Sequence, residues 1–244
     1  MIRVAVAGAA GRMGQTVCAA VEGAEDMELV ARADPLLGRS LAQVLGEAAS
    51  GSAGERGPLA PQVVVDFTTP ETALPNALEC LRAGVHVVIG TTGFDAAALE
   101  RAVAEQAPGA PARANVLIAP NFAIGAVLMM RFAAEAARHM AKAEIIELHH
   151  DGKLDAPSGT AKRTAELMAQ AGGGEPPPIH SVRLPGLVAD QEVILGDLAQ
   201  TLSIRHETIG RESFMPGVLL AVRRVGTLER SPTVGLESLL FPAG

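Results

Sequence analysis

The stretch IRVAVAGAAGRMG, residues 2–14, decides the fold predicted for this chain. Its first six residues are an apolar run typical of a buried strand, and Gly8, Gly11 and Gly14 follow where a helix is expected to begin. Glycines there allow the backbone to approach a pyrophosphate closely, and the helix N-terminus then faces the phosphates. The GxxGxxG spacing displaces one glycine from the commoner form, so a purely structural turn is the alternative interpretation.

Asp34 favours the dinucleotide interpretation over the structural turn. It ends the second strand-like run, twenty residues after Gly14, where a carboxylate can accept hydrogen bonds from both ribose hydroxyls of NAD. Because this carboxylate repels a 2′-phosphate, we expect NADH to be preferred, with NADPH as the alternative cofactor. Arg39 is the nearby cation that would weaken this preference.

Runs of Val and Ile predict a parallel sheet. Near-continuous apolar strands separated by helix-period segments are typical of a sheet that is covered on both faces. The runs are residues 2–7, 28–33, 62–67, 85–89 and 115–119. We therefore predict an α/β fold with a Rossmann-type, doubly wound parallel sheet. Pro75 is expected to delay or kink a helix at 72–82, and residues 46–61 are expected to form an irregular loop.

After Asn121 the pattern changes to that of a second, α+β domain. A helical segment at 124–139 precedes a strand-like run at 143–150 and a helix at 159–171. Three candidate strands with little helix between them then predict a mixed sheet, and they are 179–184, 191–195 and 199–206. We expect the helix at 214–225 to return to the first domain, which gives domains of residues 1–120 plus 219–244 and of residues 121–218.

The composition excludes several classes of function. The chain of 244 residues has no Trp, no Tyr, six Phe and a formal net charge of −7, so we expect no nucleic-acid partner. Without Tyr, a Tyr/Lys catalytic pair is excluded. We find no signal peptide and no apolar run of the roughly 18 residues that a membrane span needs, and we expect a cytoplasmic protein with no membrane partner. Cys18 and Cys80 are interpreted as buried hydrophobes, and no metal site is expected.

The segment ELHHDGKLDAPSGTA, residues 147–161, carries the strongest signal for a substrate site. His149 and His150 end a strand and point to opposite faces, so at most one is expected to face a cofactor. Lys153 follows, and Pro157–Thr160 begins a helix whose backbone N–H groups suit a carboxylate. In an acidic protein, these groups within twelve residues predict a cationic pocket for a small anionic substrate, with structural histidines as the alternative.

Two further loops fall at the ends of the fourth and fifth predicted strands. They are GTTG, residues 90–93, and APNFAIG, residues 119–125. Ligands of doubly wound folds bind at this edge of the sheet, so these loops are expected to contact the nicotinamide ribose and carboxamide. Simple Thr/Gly turns and an Asn cap are the alternative. The other four histidines are interpreted as structural, and they are His86, His139, His180 and His206.

Several motifs resemble those of the 4-hydroxy-tetrahydrodipicolinate reductase (dihydrodipicolinate reductase) family. They run in order from the first strand through Val222, and they are GAAGRMG, DFTTPE, IGTTGF, APNFAIGA and ELHHDGKLDAPSGTA. The resemblance implies a Rossmann cofactor domain and a mixed α+β domain for substrate binding and homotetramer assembly. It also implies reduction of a cyclic, unsaturated dicarboxylate by NADH or NADPH, on the diaminopimelate route to lysine.

The same resemblance implies roles for residues at matching positions. His149 would be the general acid/base, and Lys153 would be a proton donor. The substrate carboxylates would be held by His150, Lys153, Ser158, Gly159 and Thr160. The cofactor would be held by Gly8, Ala9, Ala10, Gly11, Arg12, Met13, Asp34, Gly90, Thr91, Thr92, Ala119, Pro120, Asn121 and Phe122.

Four positions depart from the pattern of the family. Asp151 and Gly152 stand where a basic or bulkier residue is common, and Asp190 stands where His is common. We expect Asp151 either to face solvent or to pair with Lys153 or an Arg. Pro35 stands where some members place an Arg for the 2′-phosphate, which favours NADH.

Two alternative functions are open. A non-catalytic NAD(H)-binding sensor would account for residues 8–34 but would leave the segment 147–161 without a role. A different reductase, acting on sugars or semialdehydes, is the second alternative. Its covalent thiol route is disfavoured, because neither Cys18 nor Cys80 lies beside a candidate base in the sequence.

Overall fold

The fold consists of two compact units of one chain. The structure is a computed structural model, and it describes residues 1–49, 59–105 and 114–241. The first unit combines Met1–Phe122 with Met215–Gly244, and the second is Ala123–Phe214. The strands are β1 (Ile2–Ala7), β2 (Met27–Ala33), β3 (Val63–Asp66), β4 (His86–Ile89), β5 (Val116–Ile118), β6 (Lys142–His149), β7 (Ile179–Arg183), β8 (Ala189–Asp197), β9 (Gln200–His206) and β10 (Thr233–Val234). The α-helices are α1 (Arg12–Glu22), α2 (Leu41–Ala49), α3 (Pro70–Arg82), α4 (Ala96–Ala104), α5 (Ile124–Ala136), α6 (Gly159–Gly172), α7 (Met215–Arg224) and α8 (Glu237–Leu240).

The first unit contains a six-stranded sheet in the order β10-β5-β4-β3-β1-β2. Every neighbouring pair in it is parallel, as the apolar runs predict. β3 is buried along its whole length, which is typical of a strand covered on both faces. The strand order reverses between β1 and β3, and in doubly wound folds ligands bind at the carboxyl ends of strands next to such a reversal. The predicted α/β class is confirmed.

Helix α3 corrects the expectation for Pro75. The helix is not delayed but begins at Pro70, where proline is favoured because its missing N–H needs no partner in the first turn. The Thr72 hydroxyl accepts a hydrogen bond from the backbone N–H of Thr69 (3.2 Å), which caps this start. Pro75 lies on the exposed side of the helix, so it does not disturb the side that packs on the sheet.

Helix α2 corrects part of the loop expected at residues 46–61. Leu41, Val44 and Leu45 are buried at helical spacing, and this apolar face extends the helix through residue 49. Residues 50–58 of the expected loop lie outside the described residues.

The second unit contains a four-stranded mixed sheet in the order β7-β6-β8-β9. β6 pairs parallel with β7 and antiparallel with β8, and β8 pairs antiparallel with β9. Side chains from α5 and α6 pack with alternate residues of β6 and β8, including Ile145, Val193 and Leu195, to form its core. The predicted mixed sheet is thus confirmed, although helix α5 ends at Ala136, three residues earlier than expected.

Helix α7 returns to the first unit after the second. Arg223 pairs with Asp26, next to the start of β2, at 2.7 Å. Gly217 lies against the carbonyl oxygen of Phe122, and a Cβ at this glycine would overlap that oxygen. Within the described ranges, no helix has both the length and the apolar character needed to cross a membrane.

Candidate functional site

The glycine turn after β1 has the close packing that a diphosphate site requires. Gly8 has φ +78°, and a Cβ there would come within 2.5 Å of the carbonyl oxygen of Phe67. A Cβ at Gly14 would overlap the backbone of Gly8. Helix α1 begins at Arg12 with no capping side chain and no acidic residue in its first turn. The positive end of the α1 dipole is therefore not neutralised by a side chain of the helix, and it can attract a phosphate group. The glycine turn and the start of α1 together fit the diphosphate of a nicotinamide dinucleotide.

Asp34 is joined directly to this turn. Its Oδ2 accepts a hydrogen bond from the backbone N–H of Ala10 (3.0 Å), and its Oδ1 accepts one from that of Leu36 (2.9 Å). The carboxylate is thereby fixed at the end of β2, while its remaining lone pairs can accept ribose hydroxyls. Arg39, the cation that would favour a 2′-phosphate, forms an ion pair with Glu47.

Phe67 brings three of the predicted cofactor segments together. Gly8 of the glycine turn packs on the backbone of Phe67, and the ring of Phe67 fills the space that a side chain at Gly90 would occupy. The ring also packs on that of Phe122, with 5.7 Å between centroids and an angle of 51°. The ends of β1, β3, β4 and β5 therefore meet around one aromatic side chain, next to the reversal in strand order.

A buried carboxylate organises the same edge of the sheet. Asp66 is fully buried, and its Oδ1 accepts hydrogen bonds from the hydroxyls of Thr68 (2.7 Å) and Thr91 (3.1 Å). Its Oδ2 accepts one from the side-chain amide of Asn76 (2.8 Å). These neutral donors stabilise the carboxylate, and they tie the loop after β3 to the loop after β4. Of the two threonines expected to hold the cofactor in the loop after β4, Thr91 is buried and Thr92 is exposed.

His149 lies in a second cluster, within the second unit. Its Nδ1 is 2.5 Å from Oε2 of Glu147, a fully buried carboxylate two residues earlier on β6. The guanidinium of Arg183 on β7 donates to both oxygens of Glu147, at 2.9 and 2.8 Å. The side chain of His149 is 14% exposed, so the ring is partly open to a ligand.

Lys153 and the start of α6 belong to the same cluster. Lys153 forms an ion pair with Asp155 (2.7 Å), and the Asp155 carbonyl accepts a hydrogen bond from Arg183 (2.8 Å). The backbone N–H of Ser158 donates to Oε1 of Glu147 (3.3 Å), and the Ser158 hydroxyl accepts from Ala161 as the N-cap of α6. The structure therefore brings together three of the residues expected at the substrate site, His149, Lys153 and Ser158.

The other residues expected at the substrate site lie at the edge of this cluster. Gly159 and Thr160 form the first turn of α6, and His150 is exposed beyond the end of β6. Asp151 faces solvent, so of the two outcomes expected for it the first holds, and Lys153 pairs with Asp155 instead. Asp190 is buried and accepts a hydrogen bond from the backbone N–H of Thr208 (3.0 Å).

Burial and charge shift the pKa of both members of the histidine–carboxylate pair. Burial lowers the pKa of His149, the Glu147 carboxylate opposes this shift, and the charges of Lys153 and Arg183 add to it. Burial alone would raise the pKa of Glu147, but hydrogen bonds from Arg183, Ser181 and His149 bring it below its ordinary value. The resting pair is thus a neutral imidazole beside an ionised carboxylate.

Three charged residues of these clusters were given no site role from the sequence. Glu147 had a signal, because it shares the buried face of β6 with Ile145, where a carboxylate needs a partner. Asp66 ends a strand at the carboxyl edge of the sheet, which was also a usable signal. Arg183 had none, since only the register of β7 against β6 brings it opposite His149.

The cysteines offer no covalent route. Burial raises the pKa of both Cys18 and Cys80, so neither forms a thiolate readily. In the described part of the chain, no group of three or more His, Cys, Asp or Glu side chains could hold a metal ion.

Comparisons with known proteins agree along nearly the whole chain. The family described as "Dihydrodipicolinate reductase, N-terminus" matches residues 2–122, and "Dihydrodipicolinate reductase, C-terminus" matches residues 125–240. The 4-hydroxy-tetrahydrodipicolinate reductases of Thermobifida fusca (strain YX) and Nocardia farcinica (strain IFM 10152) are each 48% identical over 98% of this chain, covering 99% and 98% of their own lengths. A solved structure of dipicolinate-bound dihydrodipicolinate reductase from Paenisporosarcina sp. TG-14 has a TM-score of 0.78 and 38% identity, with 98% of this chain and 99% of that chain covered. The chain therefore belongs to the dihydrodipicolinate reductase family.

Proposed function

We propose that this protein reduces 4-hydroxy-tetrahydrodipicolinate to tetrahydrodipicolinate with NADH or NADPH, on the diaminopimelate route to lysine. Relatives of this name match nearly the full chain. The observation that carries the proposal is the cluster in which His149, Lys153 and the start of α6 are joined through Glu147 and Arg183. A non-catalytic nucleotide sensor would have no use for such a cluster.

The glycine turn, Asp34 and the loops after β4 and β5 would hold the cofactor. The segments expected for this role are Gly8–Met13, Gly90–Thr92 and Ala119–Phe122. When bound, the reduced nicotinamide supplies a hydride. We propose NADH as the preferred form, because the fixed Asp34 carboxylate would repel a 2′-phosphate and Pro35 offers that phosphate no cation.

The substrate has two carboxylates, and the second unit offers matching donors. Gly159 and Thr160 begin α6, at the positive end of the helix dipole. The N–H of Ser158 already donates to Glu147, so Ser158 would contribute its hydroxyl hydrogen. His150 and Lys153 would add side-chain donors. Binding there would fix the ring before reaction, which is a large part of the acceleration that enzymes achieve.

Reduction of the ring also requires a proton, which His149 or Lys153 would deliver. Lys153 Nζ has protons to give, and binding of a dicarboxylate would favour protonation of His149, because negative charge raises the pKa of an imidazole. A positive group at the position where negative charge develops stabilises the transition state.

The test is steady-state kinetics on two variants, with NADH oxidation followed by absorbance. We expect His149→Ala and Lys153→Ala each to lower kcat by roughly 10²-fold or more, because positioned acid catalysis contributes about 10²–10⁴-fold. NADH affinity should be unchanged in both. Full turnover in both variants would remove the assigned roles. NADH binding without any oxidation by the wild type would favour the sensor.

Assembly and location stay predictions. We propose a small dicarboxylate as the binding partner and a homotetramer as the working state, and sedimentation of the purified protein would test the second. The cytoplasmic location expected from the sequence is likewise a proposal, to be tested by fractionation of cells that express the full chain.

A further inference from the structure

The fully buried Glu147 and its partner Arg183, whose side chain is 19% exposed, join the parts of the proposed site, but no part in the chemistry has yet been given to them. We propose that Glu147, held in place by Arg183, is a positioning residue that orients the His149 ring for proton transfer and locks it to the substrate-binding loop. This inference rests on the proposed function, in which His149 handles a proton. It adds two residues that do not themselves touch the substrate.

The hydrogen bond between Glu147 and His149 selects the form of the ring. Nδ1 of His149 faces Oε2 of Glu147 at 2.5 Å. An ionised carboxylate can only accept hydrogen bonds, so Nδ1 must carry a proton. In the neutral ring the other nitrogen, Nε2, is then the free base and the atom that can exchange a proton with a ligand.

Arg183 prevents Glu147 from turning away. Its two terminal nitrogens donate to the two carboxylate oxygens at 2.9 and 2.8 Å, and this two-point contact restricts rotation of the carboxylate plane. The strand register provides the geometry, because Arg183 on β7 is the direct partner of His149 on β6. Glu147 lies two residues before His149, on the same face of β6.

The same pair also fixes the two other parts of the substrate site. Arg183 donates to the carbonyl of Asp155 (2.8 Å), which belongs to the loop that carries Lys153. Glu147 accepts the backbone N–H of Ser158 (3.3 Å), the N-cap of α6. One carboxylate–guanidinium pair therefore ties the proton-handling ring, the lysine loop and the anion-binding helix start together.

Stability alone does not account for such a pair. An ion pair with a buried member contributes little net stability compared with well-packed apolar side chains of the same volume, because a buried charge loses its hydration. Glu147 is fully buried, so this cost is large. Its contacts converge on residues that the proposed reaction uses, which favours orientation as its role.

The first test uses the wild-type protein without cofactor or substrate. Its histidines are labelled with ¹⁵N, and long-range ¹H–¹⁵N spectra report which ring nitrogen of His149 carries the proton at alkaline pH, with His149→Asn used for assignment. We expect the Nδ1–H tautomer. The Nε2–H tautomer would overturn the proposal, and since no Glu147 variant is needed, this outcome does not depend on how well such variants fold.

The second test compares Glu147→Gln with the matched control Glu144→Gln. Glu144 lies on the same strand and also pairs with a β7 histidine, His180 (2.8 Å), but both side chains are exposed. We expect Glu147→Gln to lower kcat at least about tenfold with little change in the KM for NADH, as expected when a proton-transfer group is misplaced. Glu144→Gln should match the wild type.

The pKa of His149 provides the readout that a purely structural role would not change. The charged groups around the ring are Glu147 on β6, Arg183 on β7, and Lys153 with its partner Asp155 in the following loop. The negative charge of Glu147 raises the pKa of His149, whereas burial and the charges of Lys153 and Arg183 lower it. Glu147→Gln removes only the raising effect, so the pKa of His149 should fall by about 1 unit or more. An unchanged pKa, tautomer and kcat in Glu147→Gln would refute the role of Glu147. If instead the wild type fails to reduce the substrate, the proposed function fails, while the tautomer and pKa still decide whether Glu147 orients His149.

Discussion

Removal of Arg183 should destabilise the second unit strongly. Arg183→Met keeps much of the side-chain length but removes the only full positive charge that hydrogen-bonds to the fully buried Glu147 in the described residues, and leaves it His149, Ser181 and the N–H of Ser158 as partners. Loss of one partner of a buried ion pair costs about 3–5 kcal/mol, and in a chain of this size this corresponds to a decrease in Tm of about 6–20 °C. The matched control is Arg205→Met, whose Arg is 45% exposed and lies 3.4 Å from Glu192. Surface pairs of this kind contribute about 0–1 kcal/mol.

The pH dependence of this loss separates the charge from the packing. In the wild type the pKa of Glu147 is lowered, so its contribution to stability is present above its unfolded pKa and is lost as the pH falls through the folded value. Without Arg183, burial is expected to raise the pKa of Glu147. Protonation of Glu147 at lower pH should then remove its buried charge and recover part of the stability that the variant has lost. Thermal unfolding followed by circular dichroism should therefore show a gap between variant and wild type that narrows from pH 7 toward pH 5. A loss no larger than that of Arg205→Met, or a gap independent of pH, would refute the reasoning.

Three further changes test other parts of the molecule. Asp34→Asn should lower the NADH/NADPH ratio of kcat/KM by about tenfold or more, because hydrogen bonds to a charged acceptor contribute about 1.5–3 kcal/mol, and an unchanged ratio would contradict the ribose contact. Gly8→Ala should destabilise the protein by at least about 1 kcal/mol through its positive φ and its approach to Phe67, whereas Gly46→Ala, in an open helical position, should be neutral or stabilising in the same denaturant titration. Calorimetry should show that dipicolinate binds about tenfold more tightly as the pH falls from 8 to 6, since an anion raises the lowered pKa of His149, and this dependence should disappear in His149→Asn.

The sequence predicted those parts of the fold in which local and tertiary preferences agree. The apolar run before Gly8 is a buried strand, the glycine turn begins a helix, and Asp34 ends the next strand, because strand, turn and acid follow one another over a short stretch. Pro75 misled because helix capping upstream, at Thr69 and Pro70, outweighs the effect of a proline on the exposed side.

The connections within the site could not be predicted in the same way. His149 and Lys153 stand out as titratable groups close in sequence, but the pair that joins them depends on Arg183, which only strand pairing brings beside Glu147. Asp66 likewise acquires its connecting role through the hydrogen bond from Thr91, which follows a different strand. Hydrogen bonds between strands distant in sequence leave no periodic trace in the chain.

The contact between Gly217 and Phe122 bears on how the chain could be taken apart. Residues 123–214 are an insertion whose two junctions adjoin, since Gly217 touches the carbonyl of Phe122. A few linker residues could replace the insertion, and β10 would still add to β5 as the sixth strand. A miniature nucleotide-binding protein could be excised from this chain, composed of sequence from both ends and lacking His149.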